Sequence, residues 1–203
     1  MTRRFMTLLA LLTAGLLTFA SAQGSISLGG IIQSEDPLPE NTRVAVFQVD
    51  ADGVWGRELV TVNPIAGSFD LTLDVQDLDG QMPFRSGAIL LPGLQNEYRV
   101  SPDDTQYVLG RMNMYVDSDA NGQFDRQTDP VFLGLLSLED PIGFYNLLWV
   151  DRDATLTASG GVTLELSPGW NLFTVRFPGE SSPPEYRITD RVDDAVLDVF
   201  LAE

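Results

Sequence analysis

The stretch Ser68-Phe-Asp-Leu-Thr-Leu-Asp-Val75 decides the fold class of this chain. Its apolar residues Phe69, Leu71, Leu73 and Val75 alternate with small or charged ones. Successive side chains of a β-strand point to opposite faces of a sheet, so this alternation gives one apolar and one polar face. We therefore expect a half-buried strand, whose apolar face must be covered by a second layer of the protein.

Similar patterns recur on both sides of this stretch, separated by turns rich in Gly, Pro, Asn and Asp. Further strands are expected at residues 25–32, 43–50, 57–63, 86–91, 106–117, 130–137, 142–151, 154–158, 162–166, 170–177, 186–188 and 195–200. Many short strands punctuated by turns are typical of an antiparallel β-sandwich. The sequence predicts an all-β fold with one sandwich or two small packed ones, with Trp149 and Trp170 in its core.

The first residues have the three parts of a secretory signal peptide, which we expect to span residues 1–22. Arg3 and Arg4 supply a basic start, residues 8–19 are apolar, and Ala20-Ser-Ala22 matches a cleavage site. The apolar run is short for a membrane span, which needs roughly 20 residues. We therefore expect a secreted, periplasmic or cell-envelope protein that does not insert into a membrane after the signal is removed.

The chain that follows the signal, residues 23–203, is the expected β-sandwich region. Its length suits one sizeable domain or two small ones. A division into residues 23–101 and 106–203 is the two-domain alternative. Sequence patterns leave the choice between them open.

The chain is strongly acidic, with 29 Asp and Glu against 12 basic residues and a formal net charge of −17. Such a charge repels nucleic acid and anionic membrane surfaces, so neither is an expected partner. It suits solubility and divalent cations. The expected partner is an extracellular protein or glycan whose identity the sequence does not give.

The chain contains no histidine and no cysteine, and all its basic residues are arginine. Nucleophilic pairs with His or Lys, lysine Schiff bases and zinc sites built on His or Cys are therefore excluded. Carboxylate chemistry remains, of which glycoside hydrolysis by an acid pair is the commonest form. No convincing acid pair stands out. We predict no catalytic residues, no organic cofactor and a non-enzymatic protein.

The run Asp117-Ser-Asp-Ala-Asn-Gly-Gln-Phe-Asp-Arg-Gln-Thr-Asp129 is the strongest candidate site, and we call it the acidic loop. It places oxygen-bearing residues at alternate positions and Gly122 at the sixth. Calcium takes six to eight oxygen ligands, and a loop with this spacing can wrap around one ion. The expected calcium ligands are Asp117, Asp119, Asn121, Gln123, Asp125 and Asp129.

The acidic loop resembles the calcium loops of dockerins, thrombospondin type-3 repeats and EF-hands. The resemblance implies a backbone carbonyl ligand from Gln123 and a direct or water-mediated ligand from Asp125. The twelfth position, a bidentate Glu in EF-hands, is Thr128, and Asp129 follows one residue late. No good amphipathic helix flanks the loop, so we expect it to follow a β-strand and the ion to be structural.

A turn without metal is the alternative interpretation of the acidic loop. Asn121-Gly122 is a common hairpin-turn sequence, and the surrounding aspartates would then cap the turn through Asx hydrogen bonds. The three acids of this pattern would repel one another without a cation, and turn chemistry alone does not explain the alternation. The calcium interpretation is therefore preferred.

Other polar or aromatic sites give weaker indications. The pairs at residues 50–52 and 77–79 are expected to be turns with surface acids, and Asp190–Asp194 a solvated turn. Trp55 lies between two glycines and is the one tryptophan expected to be exposed, where it would suit stacking on a sugar.

Residues 24–75 resemble the carboxypeptidase-regulatory-like (transthyretin-like) β-sandwich family. The resemblance lies in the order of a first strand beginning at Gly24, a loop with Pro37 and Pro39, a core strand at residues 43–47 and a Gly-x-Phe strand at 67–71. It implies a non-catalytic accessory or adhesion module. We expect a secreted, calcium-stabilised module for binding or cell-envelope structure. The alternative is a carbohydrate-binding module or a carboxylate-based glycoside hydrolase.

Overall fold

The computed structural model contains no helix in the part of the chain that it describes, which confirms the all-β prediction. The described residues are 25–34, 37–49, 55–74, 78, 82–83, 98–138, 143–158, 162–179 and 184–201. The strands are β1 (Ile26–Gln33), β2 (Thr42–Val49), β3 (Trp55–Val62), β4 (Ser68–Leu73), β5 (Met82–Pro83), β6 (Tyr98–Ser101), β7 (Gln106–Val116), β8 (Val131–Leu138), β9 (Gly143–Val150), β10 (Ala154–Ala158), β11 (Val162–Leu166), β12 (Gly169–Arg176), β13 (Glu185–Thr189) and β14 (Arg191–Leu201).

Three of the sequence expectations about strands need correction. Neither β5 nor β6 was expected, and β14 begins at Arg191, so most of the Asp190–Asp194 segment is strand and not turn. The reason is backbone pairing with β1, in which Arg191 lies beside Ser27 while Asp193 and Asp194 stay exposed. Surface acids are compatible with a strand whose other residues are buried.

Several sequence expectations fall outside the described residues. These are the signal segment 1–22, the strand at 86–91, the acidic pair at 50–52, both acids of the 77–79 pair, and the side chain of Trp55. Among the residues that are described, no helix has the length and apolarity needed to cross a membrane.

The described strands form two sheets. The larger has eleven strands with the main order β13-β12-β9-β7-β8-β14-β1-β4, and β2, β3 and β5 join it beside β7. The smaller has the order β11-β10-β6. The pairings are antiparallel except that of β1 with β14, which is parallel. Strands from residues 26–101 and from residues 106–201 therefore bond to each other in both sheets.

β7 is the central strand, because its two edges bond to different parts of the large sheet. Residues 109–116 pair with β2 along one edge. Along the other edge, residues 107–110 pair with β9, and Met114 and Tyr115 pair with β8. β7 is also buried on both faces, which explains why its sequence is apolar almost throughout. Its C-terminal end leads directly into the acidic loop.

The main core lies between two parts of the large sheet. Leu28 of β1, Leu71 of β4 and Leu197 of β14 share a single cluster with Val46 of β2 and Leu172 of β12. Strands that are distant in sheet order thus face each other across this core, as in a sandwich. Trp149 and Trp170 belong to the same cluster, with relative exposures of 4% and 5%, as expected.

A second core covers the opposite face of β7, β9 and β12. Leu148, Phe173 and Val175 point to this face and contact Leu156 and Leu164 of the small sheet. Because successive residues of β9 and β12 point to different cores, these strands form a middle layer and are apolar on both sides.

Candidate metal-binding loop

The acidic loop connects β7 to β8 and is fixed at both ends by backbone hydrogen bonds. The Val116 N–H donates to the Pro130 carbonyl at 3.0 Å, which closes the loop across its base. The Asp117 N–H donates to the Asn41 carbonyl at 3.1 Å, which joins the loop to the start of β2. The ladder between β2 and β7, which pairs Thr42 with Val116, thus determines where the loop begins.

Asp117 is the buried centre of the loop, with no exposed side-chain surface. Its Oδ1 accepts the Asn121 N–H at 3.0 Å, and its Oδ2 accepts the Gly122 N–H at 2.9 Å. Arg43 of β2 donates its Nε–H to Oδ2 at 2.7 Å. Burial opposes ionisation, but the Gly122 bond, Arg43 and the Asn121 bond together hold the pKa of Asp117 below its usual value.

The backbone enters the left-handed region twice as it wraps around Asp117. Ala120 has a φ of 55° and Gly122 a φ of 84°. Glycine adopts this conformation at little cost, which explains its place at the sixth position of the loop. A Cβ at Gly122 would also lie 3.5 Å from Nη2 of Arg43.

Asp119 and Asn121 form the exposed rim of the loop. Asp119 accepts the backbone N–H of Asn121 at 3.2 Å and its side-chain amide at 2.9 Å. The Asn121 Oδ1 in turn accepts the Gln123 N–H at 2.7 Å. These are the Asx-type hydrogen bonds that the turn interpretation predicts.

Asp129 ties the two ends of the loop together. Its side chain is buried, its Oδ2 accepts the Asp125 N–H at 2.8 Å, and its Oδ1 accepts the Ser118 N–H at 3.0 Å. Asp125 caps the last turn by accepting the Gln127 N–H at 2.8 Å. Asp129, which lies one position after the closing ligand of an EF-hand, therefore makes the hydrogen bonds that join the start of the loop to its end.

An aromatic cluster supports the loop from below. Phe124 of the loop contacts Phe47 of β2 and Tyr115 of β7 edge-to-face, with ring centroids 5.0 and 5.2 Å apart. Phe124 was not among the predicted site residues, although one aromatic residue in a polar loop is a recognisable signal for an apolar anchor. Phe124 is partly buried against this cluster, which attaches the middle of the loop to the sheet.

A second acid beside Arg43 was also missed. Glu58 of β3 lies near Arg43 and Tyr115, and its Oε2 is buried without a hydrogen-bond partner among the described residues. Burial raises the pKa of Glu58, although Tyr115 and Arg43 favour its charged form. Arg43 therefore lies in the field of two carboxylates, Asp117 and Glu58.

Five of the six predicted ligands accept hydrogen bonds from N–H groups of the loop itself, and the sixth, Gln123, donates its N–H to Asn121. Across the described ranges, no three acidic side chains lie close enough together to hold a metal ion. A carboxylate has about four lone-pair sites on its two oxygens, so an oxygen with one N–H bond can still bind a cation. The loop can thus act as a capped turn and retain oxygen atoms for an ion.

The two buried tryptophans offer no surface to a sugar ring, since Trp149 and Trp170 lie in the main core.

Comparisons with protein-family models, curated proteins and solved structures give no match for this chain.

Proposed function

We propose that this protein is a non-enzymatic β-sandwich module of the cell envelope or extracellular space, with calcium stabilising its acidic loop. Its partner would be an extracellular protein or glycan. The absence of His, Lys and Cys supports a non-catalytic role. The composition of residues 1–22 supports export.

The observation that carries the calcium proposal is the geometry around Asp117. The loop wraps around this buried carboxylate, with its N–H groups from the fifth and sixth positions already on the two oxygens. An ion that must first order a flexible loop binds more weakly, because ordering the loop costs conformational entropy. Here the hydrogen bonds and the Phe124 contacts already order the loop without an ion. A calcium ion would bind the remaining lone pairs of the carboxylates.

Arg43 competes with a cation for Asp117. Glu58 lowers the cost of displacing Arg43, because it is a second acid beside the guanidinium. A calcium ion on Asp117 would weaken the 2.7 Å bond from Arg43. Glu58 lies close enough to affect Arg43 electrostatically, so the guanidinium keeps a neighbouring acid when the ion is bound. The expected affinity is modest, in the range of extracellular modules at about 10⁻⁴–10⁻³ M.

Thermal unfolding of the purified protein in EDTA and in millimolar calcium tests the proposal. We expect calcium to raise the melting temperature and magnesium at the same concentration to have less effect, because magnesium gives up its water shell reluctantly. In the double variant Asp119→Asn, Asp125→Asn the calcium effect should disappear. This variant leaves the Asp117–Arg43 pair intact.

A matched control is Asp74→Asn, Asp103→Asn, which removes the same charge from two exposed positions elsewhere. It should keep the full calcium effect. An unchanged melting temperature in the unmutated protein would contradict the proposal. An equal calcium effect in both double variants would also do so, because the ion would then bind elsewhere.

A further inference from the structure

An open pocket of about 380 Å³ lies where the edge of β12 and β13 meets the start of β14. Three arginines line it, Arg176, Arg187 and Arg191, and we call it the arginine pocket. The whole chain has only twelve arginines and a net charge of −17. With Asp193 and Asp194 also in its lining, the pocket has a formal charge of +1 in a protein that is otherwise strongly negative.

Strand register explains why these side chains meet. Thr174 of β12 pairs with Tyr145 of β9 on one side and with Arg187 of β13 on the other. Residues in register across neighbouring strands point to the same face. Arg176, two residues after Thr174, points to that face too. Thr174 and Arg176 follow Leu172 on the same face of β12, and Leu172 belongs to the main core. The pocket therefore lies where the main core ends.

The two acids of the pocket already have partners. Asp193 accepts hydrogen bonds from the Nε–H of Arg191 at 3.0 and 2.9 Å. Asp194 lies beside the Tyr145 hydroxyl, and burial, aided by Asp194, raises the pKa of Tyr145 to about 12. Tyr145 therefore remains neutral at physiological pH. Neither acid forms an ion pair with Arg176 or Arg187.

Arg176 has an unmet hydrogen-bonding requirement. Its Nε is buried and has no hydrogen-bond partner within the described part of the chain. Glu185 is its cross-strand neighbour, yet no ion pair joins these two described residues. A buried N–H without an acceptor is costly, so a ligand acceptor that displaced the groups covering this Nε would relieve that cost.

We propose that the arginine pocket binds the oxyanion group, a carboxylate or a phosphate, of a small organic ligand. The guanidinium of the half-buried Arg176 would supply the donors, and the exposed Arg187 a second positive charge. Guanidinium groups match the geometry of both oxyanions and can bind them through two parallel hydrogen bonds. The size of the pocket lies within the range of small-molecule sites. This site is independent of the calcium proposal, since its residues lie outside the acidic loop.

Calorimetric titration of the purified protein with inorganic phosphate, with glucuronate and with neutral glucose tests this inference. Saturable binding of phosphate or glucuronate, but not of glucose, is the expected result. The anion that binds more tightly identifies the preferred group. Saturable binding of neither anion would overturn the proposal.

The variant Arg176→Gln should weaken anion binding about tenfold or more, because a hydrogen bond to a charged group is lost. Arg99→Gln, at an exposed position on β6, is the matched control and should leave affinity unchanged within about twofold. Equal affinity in the two variants would place the anion elsewhere and overturn the assignment. If Arg176→Gln does not fold, the exposed Arg187→Gln replaces it with the same expectation.

Discussion

At the scale of the residue, Asp117 contributes more to the structure of the acidic loop than its exposed neighbours do. Its carboxylate is fully buried and accepts from two backbone N–H groups and from Arg43. Asp119, only two residues away, is exposed and bonds mainly to Asn121. The two aspartates look equivalent in the sequence but should respond differently to substitution.

We expect Asp117→Asn to destabilise the calcium-free protein several times more than Asp119→Asn. An asparagine at position 117 would turn an NH₂ group toward the N–H of Gly122 or that of Asn121, where two donors cannot pair. Urea unfolding in EDTA measures the difference. Equal losses of stability in the two variants would show that the buried contacts of Asp117 add nothing to the free energy of unfolding.

Asp151 gives a second prediction, for acid pH. Burial opposes its ionisation, but Arg152 and the Gln106 N–H lower the pKa of Asp151 below its usual value. A carboxyl whose pKa is lower in the folded protein contributes stability above the unfolded-state pKa of about 4, and loses it as the pH falls through the folded-state value.

We therefore expect Asp151→Asn to cost about 1–2 kcal/mol at pH 7, from the loss of charge-assisted hydrogen bonds. The difference from the unmutated protein should shrink as the pH is lowered below about 4. Urea unfolding at several pH values measures it. The exposed Asp153→Asn is the control and should change little. A constant difference across that range would contradict the assigned pKa direction.

Much of the acidic loop could be predicted from residues close together in sequence. The position of Gly122 and the Asx spacing depend on local geometry, and both are present in the structure. Arg43, Glu58 and Phe47 could not be predicted as its supports, because they come from β2 and β3 and reach the loop only through strand pairing.

At the scale of the element, alternation gives good boundaries for the two short strands of the small sheet. The bounds of β10 and β11 agree with those expected. β14 begins earlier than expected, since pairing with β1 extends it through an acidic segment. Alternation thus identifies a strand by its buried residues, whereas its length also depends on its neighbours.

Two adjacent glycines of β1 offer a matched test of strand packing. A Cβ at Gly30 would lie 2.0 Å from the carbonyl oxygen of Ala195, where β1 and β14 shift register, whereas one at Gly29 would lie 3.6 Å from its nearest neighbours. Gly30→Ala should therefore cost at least the upper end of the about 1–3 kcal/mol typical of overpacking.

Gly29→Ala should cost much less than Gly30→Ala, because its added methyl group meets ordinary van der Waals contacts. Denaturant unfolding of both variants gives the comparison. Similar costs would show that β1 and β14 separate easily and that their close approach is not important for stability.

At the scale of the whole molecule, the excess of negative charge affects the stability of the fold. A net charge of −17 makes the compact state repel itself. Raising sodium chloride from about 0.01 M to 0.5 M shortens the screening distance from about 30 Å to a few ångströms. We expect the melting temperature to rise by a few degrees over this range.

The same salt series separates general screening from a specific ion. The Asp119→Asn, Asp125→Asn variant should keep most of the sodium chloride effect while losing the calcium effect. Calorimetry or circular dichroism measures both. A melting temperature that falls as sodium chloride is added would show that attractive ion pairs outweigh the repulsion.

The order of the strands in the large sheet was beyond sequence analysis. Alternation indicates that a residue is buried but not which strand lies beside it. The parallel pairing of β1 with β14 joins segments separated by residues 34–190. Contacts of this kind depend on the whole chain and have no local pattern.

That pairing has a consequence for the timing of folding in the cell. A ribosome that adds about 5–20 residues per second needs about 8–30 seconds to synthesise the segment between β1 and β14. Throughout that interval Leu28 lacks Leu197 and the other residues of β14 that complete its core. The nascent chain therefore stays incompletely folded until β14 has been synthesised. A chain in that state can be threaded through a narrow translocation channel, as the export proposed above would require.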